Sequence, residues 1–444
     1  MLKTLRNAFR IKDIRSKIIY TFFALLIVRL GCLIPVPGVN QAVFKDWLAN
    51  TMGDNIGFLD ALTGGSFTEM SIFALNISPY ITSSIIMQLL TIAIPKLEEL
   101  HKDGEDGRKK IAEISRYLTI GLAVVESVAM TIGFSNSGIL TSGNLFTNIV
   151  VITASFTAGS AFLMWLGERI TEKGVGNGIS MILLFNIVAK MPSDIVNLTQ
   201  KFITGASNVG MGIIGAVVII AVILVTVVLI IMLQDAQRKI AVQYAKKVQG
   251  RSMVGGQSSF IPLKVNTAGV IPVIFASSLM QFPIIISSFF GVHGERSTLW
   301  RKILYMLNQS NWFNFKEFGE FKYTLGAVLY IAMIIFFAYF YTSITFNPME
   351  IANNMKKQGG FIPGIRPGRP TTEYLNKVLN YIIFVGAVGL TIVAIIPIFF
   401  AGAFGARVNF GGTSLIIVVG VVLETLKQIE SQMLVRHYKG FLND

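Results

Sequence analysis

The chain has 444 residues, of which 53% are hydrophobic and only 14% charged, against roughly 25% charged in an ordinary soluble domain, and its mean hydropathy is +0.63. That composition excludes a water-soluble globular enzyme, because water is not the solvent of most of such a surface. The formal net charge of +14 would suit a nucleic-acid binder, but the Lys and Arg residues lie between uninterrupted apolar runs, where their first meaning is membrane topology.

In chain order, the basic stretch 3–17 leads into a first apolar run at 18–34 with no small-residue cleavage site. It reads as a retained cytoplasmic tail followed by a span, and not as a removed secretory signal. Further runs lie at 72–94, 114–134, 146–166, 179–191, 213–233, 270–290, 325–346, 378–400 and 413–426. A run such as 213–233, at about 1.5 Å rise per residue, covers the roughly 30 Å of bilayer hydrocarbon. The fifth and tenth are short and need flanking polar residues buried in a bundle. The single cysteine, Cys32, sits in the first run, so no internal disulfide forms.

Basic residues follow the second, fourth, sixth and eighth runs: Lys102, Arg108, Lys109, Lys110, Lys173, Arg238, Lys239, Lys246, Lys247, Arg251, Lys356, Lys357, Arg366 and Arg369. The positive-inside rule puts these connections, and with an even number of spans both termini, in the cytoplasm. Residues 135–148 then face outward.

Two segments depart from a plain bundle. Residues 57–70, GFLDALTGGSFTEM, are amphipathic, too short and polar to cross, yet run into an apolar span. Such backbone survives at membrane depth only when surrounded by protein or lining a wet cavity; the alternative is an external loop with a surface helical turn. The connection 234–264 carries six Lys or Arg against the single acid Asp235. That excess marks an acidic partner, be it lipid, protein or RNA, or else a solvated loop.

Catalytic patterns are missing. His101, His293 and His437 are remote in sequence and form no HExxH pattern, and GVGNG at 174–178 lacks the lysine of a phosphate-binding loop. It reads instead as a tight turn into the fifth span. No cofactor is implied, and energy must come from a partner or the membrane potential. Ionisable residues near or within spans are few (Arg29, Glu126, Glu424), which counts against an ion-coupled transporter of small solutes.

Several long motifs carry a family likeness: IPVPG at 34–38, SIFALNISPYITSSIIMQLL at 71–90, GVGNGIS at 174–180, IAVQYAKK at 240–247, IPLKVNTAGVIPVIFASSLMQFP at 261–283, NPMEIANNMKKQGGFIPGIRPG at 347–368 and FGGTSLIIVV at 410–419. In this order and along nearly the whole length, the chain resembles the SecY family of bacterial protein-conducting channels. The resemblance implies an all-α integral membrane protein of about ten transmembrane helices, in two pseudo-symmetric five-helix halves (1–200 and 201–444) around an hourglass pore. The break between halves falls within 191–212.

By the same resemblance, the pore ring falls on Ile77, Ile81, Leu183, Ile274 and Ile417. A short plug helix near 57–70 includes Phe58, Leu59, Leu62, Thr63, Gly64 and Gly65. The lateral gate includes Thr82, Glu126, Asn266, Ser278 and Phe282. Basic loops 234–264 and 347–374 dock partners through Arg238, Lys239, Lys246, Lys247, Arg251, Lys356, Lys357, Arg366 and Arg369. Implied partners are SecE-like and SecG-like small membrane subunits, a SecA-like motor ATPase, the ribosome, signal-sequence-bearing polypeptides and the lipid bilayer; the implied location is the bacterial cytoplasmic membrane. The implied function is passage of unfolded polypeptides across that membrane and lateral release of hydrophobic helices into it. Asn76 stands where the family usually has glycine, Leu183 where isoleucine is more frequent, and the connection 291–322 carries no family motif. The competing readings are a secondary transporter of a small solute, which leaves 57–70 and the basic loops unexplained, and a membrane scaffold, which needs no polar positions facing a pore.

Overall fold

The computed structural model describes residues 6, 8–51, 60, 62–136, 138–141, 143–200, 209–244, 247–249, 252–254, 258–289, 306–307, 325–404 and 412–440. Each apolar run becomes, at least in part, a helix: α1 (Lys12–Gly31), α3 (Ser78–Ala93), α5 (Glu105–Asn136), α6 (Leu145–Lys173), α7 (Gly178–Thr199), α8 (Val209–Asp235), α9 (Ile271–Phe289), α10 (Leu325–Thr345), α12 (Arg369–Phe404) and α13 (Gly412–Gly440). Shorter helices α2 (Gln41–Thr51), α4 (Pro95–Lys102) and α11 (Pro348–Lys357) join them. Among the described residues, five helices are long and apolar enough to cross a membrane, or six if the bent pair α3–α4 counts as one span. Backbone polar groups cannot go unpaired in hydrocarbon, and helices pair them internally.

Packing divides the bundle in two. Within the first group, α5 lies against α3 and α6, and α6 against α1 and α7; within the second, α10 lies against α9 and α12, and α8 against α12 and α13. The groups meet where α9 packs on α5 and where α13 packs on α7. Outside these contacts the helices present bare apolar surface, with Ile213, Ile214, Val217 and Leu224 of α8 all exposed, a face suited to lipid.

Three local findings differ from the sequence reading. The run 72–94 is helical only from Ser78: residues 72–77 form turns, since Met70 and Asn76 both take the left-handed region (φ 46° and 51°). The helix that follows bends by 106° into α4, where Pro95 starts a new helix because proline has no backbone N–H to donate and its ring clashes with the preceding turn. The fifth span is longer than its apolar run, since α7 continues through Pro192 to Thr199; the first residues of the connection 191–212 are therefore helical, and 201–208 lie outside the described residues.

The third difference is in the basic connection after α8, which is a β-ribbon. Strands β1 (Gln237–Tyr244) and β4 (Ser258–Lys264) pair antiparallel with Ile240 opposite Ile261. Between them, β2 (Lys247–Gln249) pairs with β3 (Ser252–Val254). From Lys239 to Gln243 strand β1 alternates as strands do, burying Ile240 and Val242 between exposed Lys239, Ala241 and Gln243; Arg238 is exposed at the start of the strand.

The GVGNG turn has the tight geometry its glycines suggested. Gly176 takes φ 83°, and Asn177 Oδ1 accepts the backbone N–H groups of Ile179 and Ser180 at 3.1 and 3.3 Å, capping α7. A Cβ on Gly178 would lie 1.9 Å from the Gly167 carbonyl oxygen, so only glycine lets α7 start this close to α6.

Candidate functional site

The two helix groups converge on one aliphatic cluster. Ile77 comes from the turn before α3, Leu183 from α7, Ile274 from α9 and Ile417 from α13; all four are buried in the same cluster, and Ile81 packs against it half-buried. Ile81 N–H donates to the Ile77 carbonyl at 3.0 Å, which sets the two side chains one turn apart. The predicted ring residues thus come together from both groups, although they span 340 positions in sequence (417 − 77).

Segment 60–77 is seated on this cluster, with Leu62 packed against it. Of its predicted residues, Phe58 and Leu59 lie outside the described residues. A helical stretch ends at Thr63, where Gly64 (φ 64°) and Gly65 (φ 87°) turn the chain and Gly65 N–H closes on the Asp60 carbonyl at 3.0 Å, a glycine C-cap. Thr63 and Ser66 are buried, and Ser66 Oγ donates to the Phe73 carbonyl at 2.8 Å.

The segment is tied to its surroundings by polar contacts. Lys190 Nζ of α7 pairs with Asp60 Oδ2 at 2.7 Å. Arg29 Nη1 of α1 donates to the Gly64 carbonyl at 2.9 Å. Asn186 of α7 and Asn76 each donate a side-chain N–H to the Leu62 carbonyl, at 3.2 and 3.0 Å. Thr68 Oγ1 donates to Asp60 Oδ1. Asn76 also has a backbone reason to be Asn: after glycine, it is among the residues that best tolerate the left-handed region, and its Oδ1 accepts the Ile77 N–H at 2.9 Å.

Along the seam predicted as a lateral gate the helices are in contact. Here α5 packs on α9, and Ile85 of α3 packs into a second apolar cluster formed by α8, α9, α10, α12 and α13. Ser277 Oγ and Tyr330 OH, buried and 3.2 Å apart, tie α9 to α10. Thr82, Glu126 and Ser278 are half-buried on α3, α5 and α9. Asn266 is buried before α9, where its backbone lies against Gly386 of α12, and its Nδ2 has no hydrogen-bond partner among the described residues. Phe282 is on α9, but its side chain lies outside the described residues.

The basic connections, separate in sequence, form one unit. Strand β5 (Gly360–Phe361) pairs with β1, and Ile240, Val242 and Leu263 share a core with Ala352, Met355, Ile362 and Leu375. Arg238, Lys239, Lys356, Lys357, Arg366 and Arg369 all reach solvent from it. Lys239 Nζ sits 4.8 Å from the Phe260 ring centroid and Arg369 pairs with Glu373. Lys246 and Arg251, and the side chain of Lys247, lie outside the described residues.

The SecY family profile matches residues 71–426, the span that supplies the aliphatic meeting point and the basic platform. The chain belongs to the SecY family. The protein translocase subunit SecY of Bacillus licheniformis is 44% identical over 452 residues, covering 100% of both chains. Two solved structures share the SecY fold. One is described as the structure of a protein conducting channel, with TM-score 0.65 and 18% identity over 94% of this chain and 92% of that one. The other is Sec61 in the canine ribosome–channel complex from the endoplasmic reticulum, with TM-score 0.58 and 19% identity over 94% and 92%.

In this SecY-family chain, the sequence reading missed the residues that hold segment 60–77: Asp60, Asn186 and Lys190 went unremarked, and Arg29 was noted without a partner. The available signals were two acids, Asp60 and Glu69, in a stretch without a cation and a single cation at the end of the fifth apolar run.

Proposed function

We propose that the chain is the pore-forming subunit of a protein translocase, which passes unfolded secretory polypeptides across the bacterial cytoplasmic membrane and releases hydrophobic helices sideways into it. The observation that carries this reading is the convergence of Ile77, Leu183, Ile274 and Ile417 from both helix groups on one cluster, with Leu62 seated against it. Aliphatic side chains make a constriction that water and ions enter unfavourably, and their non-directional contacts can close around any passing sequence. Full-length likeness to a translocase subunit favours this over transport of a small solute.

The five ring positions are the constriction, residues 57–70 the plug, and the seam lined by Thr82, Glu126, Asn266, Ser278 and Phe282 the lateral exit. The halves are 1–200 and 201–444. Alternating charge supports cytoplasmic termini and basic connections. The joined platform of Arg238, Lys239, Lys356, Lys357, Arg366 and Arg369 suits an acidic partner: a SecA-like motor or the ribosome, which the canine Sec61 complex contains. SecE-like and SecG-like subunits cover part of the exposed apolar surface. The driving energy comes from the motor or ribosome.

The plug tests this reading. Thr63 is 2% exposed, so in a Cys32→Ser background a cysteine at Thr63 should resist an impermeant thiol reagent at rest. With a polypeptide trapped in transit it should react from outside. Equal reactivity in both states would argue against a moving plug.

A further inference from the structure

Aliphatic contacts alone would let the plug slide, because they have no preferred register. The contacts that fix it are polar, and two of them are ion pairs: Lys45 with Glu69 at 2.8 Å, their side chains 45% and 50% exposed, and Lys190 with Asp60. Arg29, Asn76 and Asn186 all donate to plug carbonyls, whereas Lys190 and Asp60 bring together two full charges at 2.7 Å. Their side chains are only 26% and 13% exposed, which sets the pair apart from surface ion pairs that salt and water weaken.

The local structure is built for it. Asp60 sits one turn before the glycine cap, its other carboxylate oxygen held by Thr68, so the carboxylate is aimed before Lys190 reaches it. Gly65 lies beside the cation: a Cβ there would make an ordinary contact with Lys190 Nζ at 3.8 Å. Gly64 lies hard against Asn186, where a Cβ would come within 3.0 Å of the helix backbone. Four residues earlier on α7 than Lys190, Asn186 faces the same segment.

We propose that the Lys190–Asp60 pair is a charge latch that registers the plug on the constriction and sets how strong a substrate signal must be to open the channel. The inference rests on the translocase reading above. The pair is strong while the seated plug shields it and weak once water reaches it, since the attraction between charges falls as the local dielectric rises. Displacing the plug admits that water. Opening therefore weakens the latch that opposed it, and the plug is held or released with little between. In this reading the pair contributes less to stability than to choosing one arrangement.

The test uses the full channel complex in reconstituted vesicles, comparing wild type, Asp60→Asn, Lys190→Gln and the charge swap Asp60→Lys/Lys190→Asp, with abundance measured for each. Each neutral variant should raise resting ion flux, and acceptance of a substrate with a defective signal sequence, by about tenfold, the scale of a modest coupling free energy. The swap should restore both toward wild type, which a merely structural role for either residue would not do. Neutral variants as tight and as selective as wild type would overturn the latch while wild-type translocation leaves the channel reading standing. Leaky neutral variants that the swap fails to rescue would also overturn it, by showing that the two charges act separately. Wild-type vesicles that move no polypeptide would overturn the reading and the latch together.

Discussion

Ile274→Asn should accumulate in the membrane at close to the wild-type level, leak ions at rest and export substrates with defective signal sequences. Ile274 is 8% exposed and belongs to the cluster that both helix groups share. If that cluster were only a packed core, the new amide would be buried without a partner, at a cost of about 1–3 kcal/mol, and abundance would fall. If it is the constriction, the amide meets the water column on either side of it and instead stabilises water inside the ring. With about 1.4 kcal/mol per factor of ten, the same interaction should raise resting ion flux about ten- to a hundredfold. Planar-bilayer conductance and immunoblotting separate the cases, and a variant that is unstable yet ion-tight would remove Ile274 from the ring.

Arg366→Glu should leave abundance and membrane insertion unchanged and reduce motor-driven export at least about tenfold, because it reverses a charge where the partner is proposed to bind. Arg366 is exposed, in a turn between Gly364 (φ 82°) and Gly368 (φ 102°). Its own carbonyl accepts the Thr371 hydroxyl at 2.9 Å, so the backbone is fixed while the guanidinium is free for the bidentate contacts that favour arginine at such sites. Among the described residues its side chain makes no hydrogen bond or ion pair that would be lost, and an exposed substitution of this kind usually changes stability by no more than about 0.5 kcal/mol. Because β5 joins this connection to β1, Arg238→Glu should show the same defect in milder form. Export at the wild-type rate by Arg366→Glu in reconstituted vesicles would contradict the docking role.

The spans were legible because hydropathy alone places a helix across hydrocarbon: the run 213–233 lies wholly within α8 and the run 325–346 matches α10 almost end to end. Where backbone geometry decides, hydropathy was blind. Residues 72–77 are as apolar as a span, yet the left-handed turn at Asn76 keeps them out of the helix. The β-ribbon was hidden because Arg238, Lys239 and Lys247 dominate the composition of a segment whose buried residues, Ile240 and Val242, alternate over only a few positions. The positions of the ring residues came from motif likeness and not from periodicity, since Ile274 in α9 has the same surroundings in sequence as any buried isoleucine. The plug's anchors were out of reach for a different reason. Asp60 and Lys190 are 130 positions apart (190 − 60), and no local pattern predicts which distant cation an acid will meet. The connection 291–322, without a motif, falls almost entirely outside the described residues.

A polypeptide in transit should pass through the ring. Single cysteines at Ile81, Leu183, Ile274 and Ile417, each in the Cys32→Ser background, can be oxidised against a substrate stalled in transit and carrying one cysteine at successive positions. All four, though they sit on α3, α7, α9 and α13, should crosslink to the same narrow window of the stalled chain. Crosslinks confined to one helix, or to none while the substrate is demonstrably stalled, would mean that the polypeptide takes another path.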